Sequence, residues 1–478
     1  MTEHVSRTTR RTAAALVAQL VSLALAVPPA LGQPPASLDQ VDGIVRTEMA
    51  RQHIPGLAVA IVKGGEPVLV KGYGLANVEH DAPVTPETVF ESGSIGKQFT
   101  AAAVMLQVEA GRLSLDDPIS TFFPGAPAAW RAIKVRHLLT HTSGIPDYTV
   151  GTFDYRRDYE EGALVREAME LKPEFPAGTR WNYSNTGYVL LGVIVHTVSG
   201  RFYGDVLQER VFTPLGMPTA RVISEAAIVK HRAAGYEWRE GVLENQDWVS
   251  PTLNTTADGS LYLSLRDYLA WDAAVRGRKV LSAASWAQVL QPVRLASGTS
   301  YPYGFGWGIS ERGGAPLHAH GGSWQGFQTQ YSRFIGDDLS IVVLANLAQA
   351  DPGHIADLIA ATLNPALAEP ALTPIEDRDP AITARAEALL QRTRARTLRP
   401  ADFAYLRAGF FPDGPSRYAT LLATAGPTAT LVLLDRHVLG DDTVSVYDVV
   451  GPTARLRLTV ALAPDGKVAV FSLRAAEE

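Results

Sequence analysis

The order in which strand-like and helix-like stretches follow one another limits the fold more than any other feature of this sequence. Leu57-Ala-Val-Ala-Ile-Val62 and Pro67-Val-Leu-Val70 flank Lys63-Gly-Gly-Glu66, the pattern of a β-hairpin, and Gly72 and Gly74 close it. Strand signals return only near Tyr303, in Gly304-Phe-Gly-Trp-Gly-Ile309, over residues 328–334 and in Leu339-Ser-Ile-Val-Val-Leu344, with Asp337-Asp338 as a turn between the last two. The stretch between, up to about Gln291, reads as mostly helical and loop-rich. There, helix 99–110 stops at Gly111, helix 188–199 ends at Gly200, helix 202–212 precedes Pro214-Leu-Gly-Met-Pro218, and the turn Ala257-Asp-Gly-Ser260 leads into helix 265–275. A helix over 37–51, with Leu38, Val41, Ile44, Val45 and Met49 at helical spacing, precedes the hairpin, and a helix over 354–363 follows the last strand. This order predicts one sheet assembled from two distant parts of the chain, with a helical lobe between them.

At 478 residues, two or three domains are expected. Residues 365–380 hold four prolines and no regular period, a linker composition. Beyond it, one helix over 381–396 and strands over 429–434, 443–449, 456–461 and 468–473, the last two joined at Asp465-Gly466, predict a small α+β domain over 381–478 without a catalytic constellation. At the other end, Arg7, Arg10 and Arg11 precede a short apolar stretch over 13–27 and then Pro-Pro-Ala-Leu-Gly32. That is the pattern of a secretory signal peptide over 1–32, so an exported, periplasmic or extracellular protein is expected. An uncleaved anchor and a twin-arginine signal are the alternatives. Cysteine is absent, which excludes cysteine-based catalysis and thiolate metal sites. The net charge of −6 is spread without a basic stripe, so nucleic acid is not an expected partner.

The chemistry gathers at three short motifs, each present once. Ser94 and Lys97 stand three apart in Phe90-Glu-Ser-Gly-Ser-Ile-Gly-Lys-Gln-Phe99, at the start of an apolar helix. Positions i and i+3 share a helix face, so the amine can reach the hydroxyl. A helix start also offers unpaired N–H groups to a developing oxyanion. The bland reading is a capping serine and a solvated lysine. Tyr183-Ser-Asn185 lies in a loop running into an apolar helix, and His320-Gly321-Gly322 precedes Ser323 at the edge of the returning strands.

Taken together and in this order, the motifs resemble those of the serine β-lactamase and penicillin-binding-protein superfamily. The resemblance is strongest to the branch of class C β-lactamases, D-aminopeptidases, DD-carboxypeptidases and related esterases. His137-Leu-Leu-Thr-His-Thr-Ser-Gly-Ile-Pro146 and Pro214-Leu-Gly-Met217 also look like that branch, and the likeness covers residues 37–363. It implies a mixed α/β fold, an antiparallel sheet flanked by helices plus an all-helical lobe, in a domain over 33–364. It implies that Ser94 is acylated, that Lys97 accepts or relays its proton and that Tyr183 is the other member of the acid/base pair. Asn185 would bond Lys97 or the substrate amide. The backbone N–H groups of Ser94 and Ser323 would form the oxyanion hole, and Gly321 and Gly322 would let a substrate strand lie close. No cofactor is implied, and the expected partner is a small-molecule or peptide substrate, with the oligomeric state open.

Free tyrosine and lysine titrate near 10, so something must depress one of them. Mutual proximity, burial of Lys97 and a His320 cation are the candidates. His320 stands where class C β-lactamases carry a lysine that attracts the substrate carboxylate, a departure that argues against strong β-lactamase activity and resembles the peptidase-type members. A D-amino-acid peptide, a short-chain ester and a β-lactam remain candidate substrates, and a non-catalytic receptor for cell-wall peptides is the rival. Tyr148, Trp307, Trp324 and Phe327 lie near the motifs and either wall an apolar pocket or pack in the core. Gly93-Ser-Ile-Gly-Lys97 fails as a phosphate loop because Glu91 stands where glycine is needed, and His137 and His141 lack the glutamate of a zinc-protease motif. Arg392, Arg394, Arg396 and Arg399 read as a solvated helix face.

Overall fold

A computed structural model describes residues 38–149, 153–406 and 410–476. The expected leader over 1–32 lies outside the described residues. The two distant strand regions join in one antiparallel sheet of seven strands. Its order is Gly308–Arg312, Ala315–Trp324, Phe327–Phe334, Leu339–Ala345, Gly56–Lys63, Glu66–Asn77 and the short Ala82–Pro83. The join lies in the middle, where Ala60 faces Val342 and Ile61 faces Ile341.

These central strands are apolar throughout because both faces are covered. Along Gly56–Lys63, Leu57, Val59 and Ile61 enter one core while Ala58 and Ala60 enter another. The first core is completed by the helices Leu38–Gln52 and Pro352–Leu363. The second belongs to the helical lobe, with Gly96–Glu109 and Asn185–Ser199 at its centre. Small alanines on the lobe side let the helix Leu265–Arg276 come close to the central strands.

Several sequence expectations need correction in detail. The region read as mostly helical also carries the hairpin Tyr236–Arg239/Val242–Asn245 and the short strands Arg221–Val222 and Leu261–Leu263. The expected strand at 304–309 lies at Gly308–Arg312, because Gly306 (φ +76°) turns the chain directly against the backbone of Lys97. The adjoining strand Ala315–Trp324 was not expected as a strand, since its His and Gly residues lack β propensity; pairing on both edges supplies the order instead. Helix 202–212 contains a π turn at Gln208–Phe212.

The C-terminal part is a four-stranded antiparallel meander, Thr430–Leu439, Asp442–Val450, Arg455–Leu462 and Val468–Ala475. It carries two helices rather than the one expected, Pro380–Arg394 and Asp413–Thr424. Leu389, Leu390, Leu422, Tyr447, Leu458 and Val460 share its core. The arginine cluster is partly engaged rather than simply solvated, since Arg392 pairs with Asp402 at 2.5 Å and Arg394 donates to the Pro427 carbonyl. This part meets the rest of the chain through an Arg180–Asp442 ion pair at 2.9 Å and a Thr299 hydroxyl donating to Asp441 at 2.7 Å.

Glu91 leads into the Ser94 turn on a short strand paired with Tyr262. It is buried, its Oε2 has no hydrogen-bond partner, and burial with the nearby Glu225 carboxylate pushes its pKa up to about 8 against the pull of Arg232. Between its ordinary value of 4.5 and about 8, the folded protein holds a proton that the unfolded chain releases, so stability falls as pH rises through that window. Glu91→Gln should therefore be more stable than the parent at pH 8, by on the order of 1–3 kcal/mol. Denaturant titrations at pH 4 and pH 8 check this, with the difference closing at pH 4.

Candidate active site

The turn that presents Ser94 is built from close approaches. Gly93 holds φ +51°, and a Cβ there would stand 2.4 Å from the Ser323 nitrogen, so both backbone conformation and space require glycine. The 3₁₀ turn Gly93–Ile95 runs straight into the helix Gly96–Glu109. Ser92 Oγ donates to the Gly259 carbonyl at 2.9 Å, and Thr329 Oγ1 donates to the Ser92 carbonyl at 2.8 Å. The turn is thus pinned by the sheet on one side and by the 257–260 loop on the other. Every residue from Thr88 to Gln107 is buried except Ser94.

Lys97 is 0% exposed. Its Nζ donates to Ser94 Oγ at 3.0 Å, to Asn185 Oδ1 at 2.7 Å and to the Asp258 carbonyl. Three acceptors match the three N–H donors of an ammonium. Burial lowers its pKa to about 8, against the opposing charges of Asp258 and Asp147. When the amine is neutral, Asn185 and the Asp258 carbonyl still take its two N–H donors, which leaves the lone pair for the Ser94 hydroxyl.

The Tyr183 ring lies 4.9 Å from Lys97 Nζ. Its hydroxyl is buried without a hydrogen bond of good geometry, facing Ser94, and burial raises its pKa well above the ordinary range. It is a phenol at any physiological pH. Asn185 is fixed from behind by Asp147, whose Oδ2 accepts from both the backbone and side-chain nitrogens of Asn185 at 3.1 and 3.0 Å. Tyr148 donates to Asp258 Oδ2 at 2.9 Å.

The third motif is tied to the second by a chain of hydrogen bonds with a fixed direction. The Ser184 N–H donates to His141 Nδ1 at 3.1 Å, so a neutral His141 carries its proton on Nε2, 3.1 Å from the Tyr303 hydroxyl. The Tyr303 hydroxyl lies 2.9 Å from His320 Nε2, and His320 Nδ1 lies 2.6 Å from the Gly321 carbonyl, which can only accept. Every link is satisfied when both imidazoles are neutral. Burial holds His141 well below its ordinary value and lowers His320 to about 4, with the Lys97 charge adding to both. This corrects one expectation: His320 is not a cation at neutral pH and does not depress Tyr183 or Lys97 by charge. His141 itself sits at φ +57°, a left-handed conformation uncommon outside glycine.

Ser94, Lys97, Tyr183 and Asn185 therefore converge. Ser323 comes against the Ser94 turn and lines the same cleft, about 40 Å³ in volume, with Trp324 at its wall. At Gly322 the close neighbour is Ser92, whose carbonyl would stand 2.0 Å from a Cβ, so this glycine serves the turn. Gly321 is exposed at the strand surface. Trp307 and Phe327 are core residues, while Trp324 donates its indole N–H to Asn254 at 2.7 Å. His137 accepts from the Lys134 backbone at 3.1 Å, and no metal-binding cluster occurs among the described residues. Asp147, Asp258 and Tyr303 were not singled out as site residues. Asp147 and Tyr148 follow the HTSGIP stretch directly, and Asp258 and Gly259 lie in the turn ahead of helix Leu265–Arg276, which was the only signal for them.

A model of the beta-lactamase family matches residues 41–364. Penicillin-binding protein 4* of Bacillus subtilis (strain 168) is 31% identical over 308 residues, 60% of this chain and 67% of that protein. A D-aminopeptidase of Gluconobacter oxydans (strain 621H) is 29% identical over 342 residues, 68% of this chain and 62% of that one, so the chain spans less than two thirds of this relative's length. The octameric penicillin-binding protein homologue from Pyrococcus abyssi superposes with a TM-score of 0.63 over 92% of this chain and 97% of its own, at 24% identity, a likeness of fold.

The directed chain generates a prediction of its own. Tyr303→Phe leaves His141 Nε2–H and His320 Nε2 without their common partner. The variant should lose on the order of 1–3 kcal/mol, the usual cost of an orphaned buried polar group. Chemical denaturation at neutral pH measures it.

Proposed function

The chain belongs to the beta-lactamase family, and from that premise we propose that it is an exported serine hydrolase. It works through an acyl-enzyme on an amide, peptide or ester of a D-amino acid. The observation that carries this reading is the fully buried Lys97 with three acceptors, one of them the only accessible residue of its segment, Ser94. Neutral Lys97 takes the Ser94 proton as Oγ attacks the acyl carbon. In this reading the backbone N–H groups of Ser94 and Ser323 hold the oxyanion, which the closeness of Ser323 to Gly93 and their shared cleft support. Tyr183 gives its phenolic proton to the leaving amine or alcohol and recovers one through Lys97. Water then attacks the ester and Ser94 regains its proton. Of the two candidate bases, Lys97 is favoured, because burial moves it toward neutral pH and moves Tyr183 away.

The neutral His320 supports peptidase or esterase chemistry over β-lactam hydrolysis, since it offers no charge for a substrate carboxylate. The D-aminopeptidase relative supports D-amino-acid substrates. Export rests on the pattern of residues 1–32, and the C-terminal α+β part is read as a domain of its own. The relatives lend no support to a non-catalytic receptor.

A penicillin or fluorophosphonate probe tests the reading by mass spectrometry. The expected result is a lasting fluorophosphonate adduct on Ser94 that is absent in Ser94→Ala, with at most slow turnover of the penicillin. An intact, unlabelled Ser94 overturns it. The pH profile supplies a second prediction. At pH 7 about a tenth of Lys97 is neutral, so kcat/KM should climb with pH to a plateau above about 8. Tyr183→Phe should remove most of the turnover.

A further inference from the structure

We infer that Asp258 selects the substrate: its carboxylate receives a free ammonium group next to the scissile acyl carbon. The inference rests on the acyl-enzyme reading above and goes one step further, to the charge the substrate must carry. Among the described residues that line the Ser94 cleft, Asp258 is the one charged residue. The loop that carries it lies directly on the nucleophile, since a Cβ on Gly259 would stand 3.0 Å from the Ser94 nitrogen. Asp147 uses both of its oxygens, accepting from Asn185 on one and from the Thr149 backbone and hydroxyl on the other. Asp258 uses one, Oδ2, for Tyr148; among the described residues no donor reaches Oδ1. Its bond to Lys97 runs through the backbone carbonyl, which leaves that side-chain oxygen for a ligand.

The rest of the cleft suits the same ligand. The indole of Trp324 lines it, and an aromatic face beside a carboxylate is a good setting for an ammonium. Lys97 is fully buried and committed to its three acceptors, and burial together with the Lys97 charge keeps His320 neutral. A substrate carboxylate would meet Asp258 with no compensating charge, whereas an α-ammonium would complete it. The class of substrate is thus a small acyl group bearing a free amine, such as an amino-acid amide or an unblocked peptide N-terminus. N-acylated and des-amino analogues are disfavoured.

The test compares two anilides that differ only in the ammonium, D-alanine p-nitroanilide and propionyl p-nitroanilide. They are assayed at about pH 7, where the amine is mostly charged. The wild type should favour the alanyl compound at least tenfold in kcat/KM. In Asp258→Asn, which keeps an acceptor for Tyr148, that ratio should fall tenfold or more. A wild type without the preference overturns the inference, and so does a variant whose two rates fall together, because Asp258 would then act only on Lys97. A reading that needs no variant is the side-chain carboxyl carbon resonance of Asp258. It should move when wild-type protein is titrated with D-alaninol, which has the ammonium but no scissile bond, and a resonance that stays fixed overturns the inference. If the fluorophosphonate labels Ser94 but neither anilide is cleaved, the hydrolase stands and this inference falls. If Ser94 is not acylated at all, both fall.

Discussion

The site depends on one lysine kept out of water. A buried ammonium is costly unless its donors are met, and here the three partners come from three separate parts of the chain: Ser94 in the same helix, Asn185 in the second motif and the Asp258 carbonyl in a distant turn. The arrangement holds the amine at a pKa of about 8, low enough to release a proton near neutrality. Two of the partners are carbonyl oxygens that only accept. Losing the proton therefore changes one contact, the one to Ser94. The group that must move its proton is the group the geometry leaves free to do so.

Holding those three partners in register is the work of the architecture. The sheet is closed by strands far apart in sequence, and its inner strand Ala315–Trp324 presses Gly322 and Ser323 onto Ser92 and Gly93. From the opposite side, Gly259 packs on Gly93 and Gly96. Four glycines thus meet around one turn, and at each of them a side chain would collide with backbone at under 3 Å. The histidine–tyrosine chain adds a polar brace between the second and third motifs. Its two imidazoles are neutral, and its direction is set at one end by a backbone N–H and at the other by a carbonyl.

Much of this was legible in the sequence, and the reasons for what was not are physical. Ser94, Lys97, Tyr183 and Asn185 could be found because their chemistry needs fixed residue types at fixed spacing. The central strands could be found because burial on both faces leaves a continuous apolar run. The strand Ala315–Trp324 could not, because His318, His320, Gly321 and Gly322 are placed there by tertiary pairing and close approach, not by local preference. Asp258 and Asp147 escaped because a single carboxylate in a turn has no periodicity, and its meaning depends on what folds against it. The charge state of His320 was only partly legible, since a histidine is mostly neutral above pH 7 and yet a cation was also a candidate. A histidine becomes a cation or a neutral acceptor according to its surroundings, and here burial, with the Lys97 charge adding to it, keeps His320 neutral.

The C-terminal module bears on the same logic. The family model ends at residue 364, yet the likeness of fold to the archaeal homologue extends over 92% of the chain. The turn between its first two strands carries Asp441 and Asp442, which grip Thr299 and Arg180. Arg180 lies three residues before Tyr183, and the intervening Trp181 stacks on Tyr301 at 4.6 Å, two residues from Tyr303. The loop that delivers the proposed proton donor and the residue that links the two histidines are thus both held against this turn. A space of about 280 Å³ beside these contacts is lined by Trp181 and Tyr301 and by Phe403 and Phe471. Ring contacts add to the polar pairs, with Phe175 edge-on to Tyr405 at 5.4 Å and Arg180 over the Tyr405 ring. The C-terminal part thus touches the loop that carries Tyr183 and, among the described residues, adds none to the Ser94 cleft.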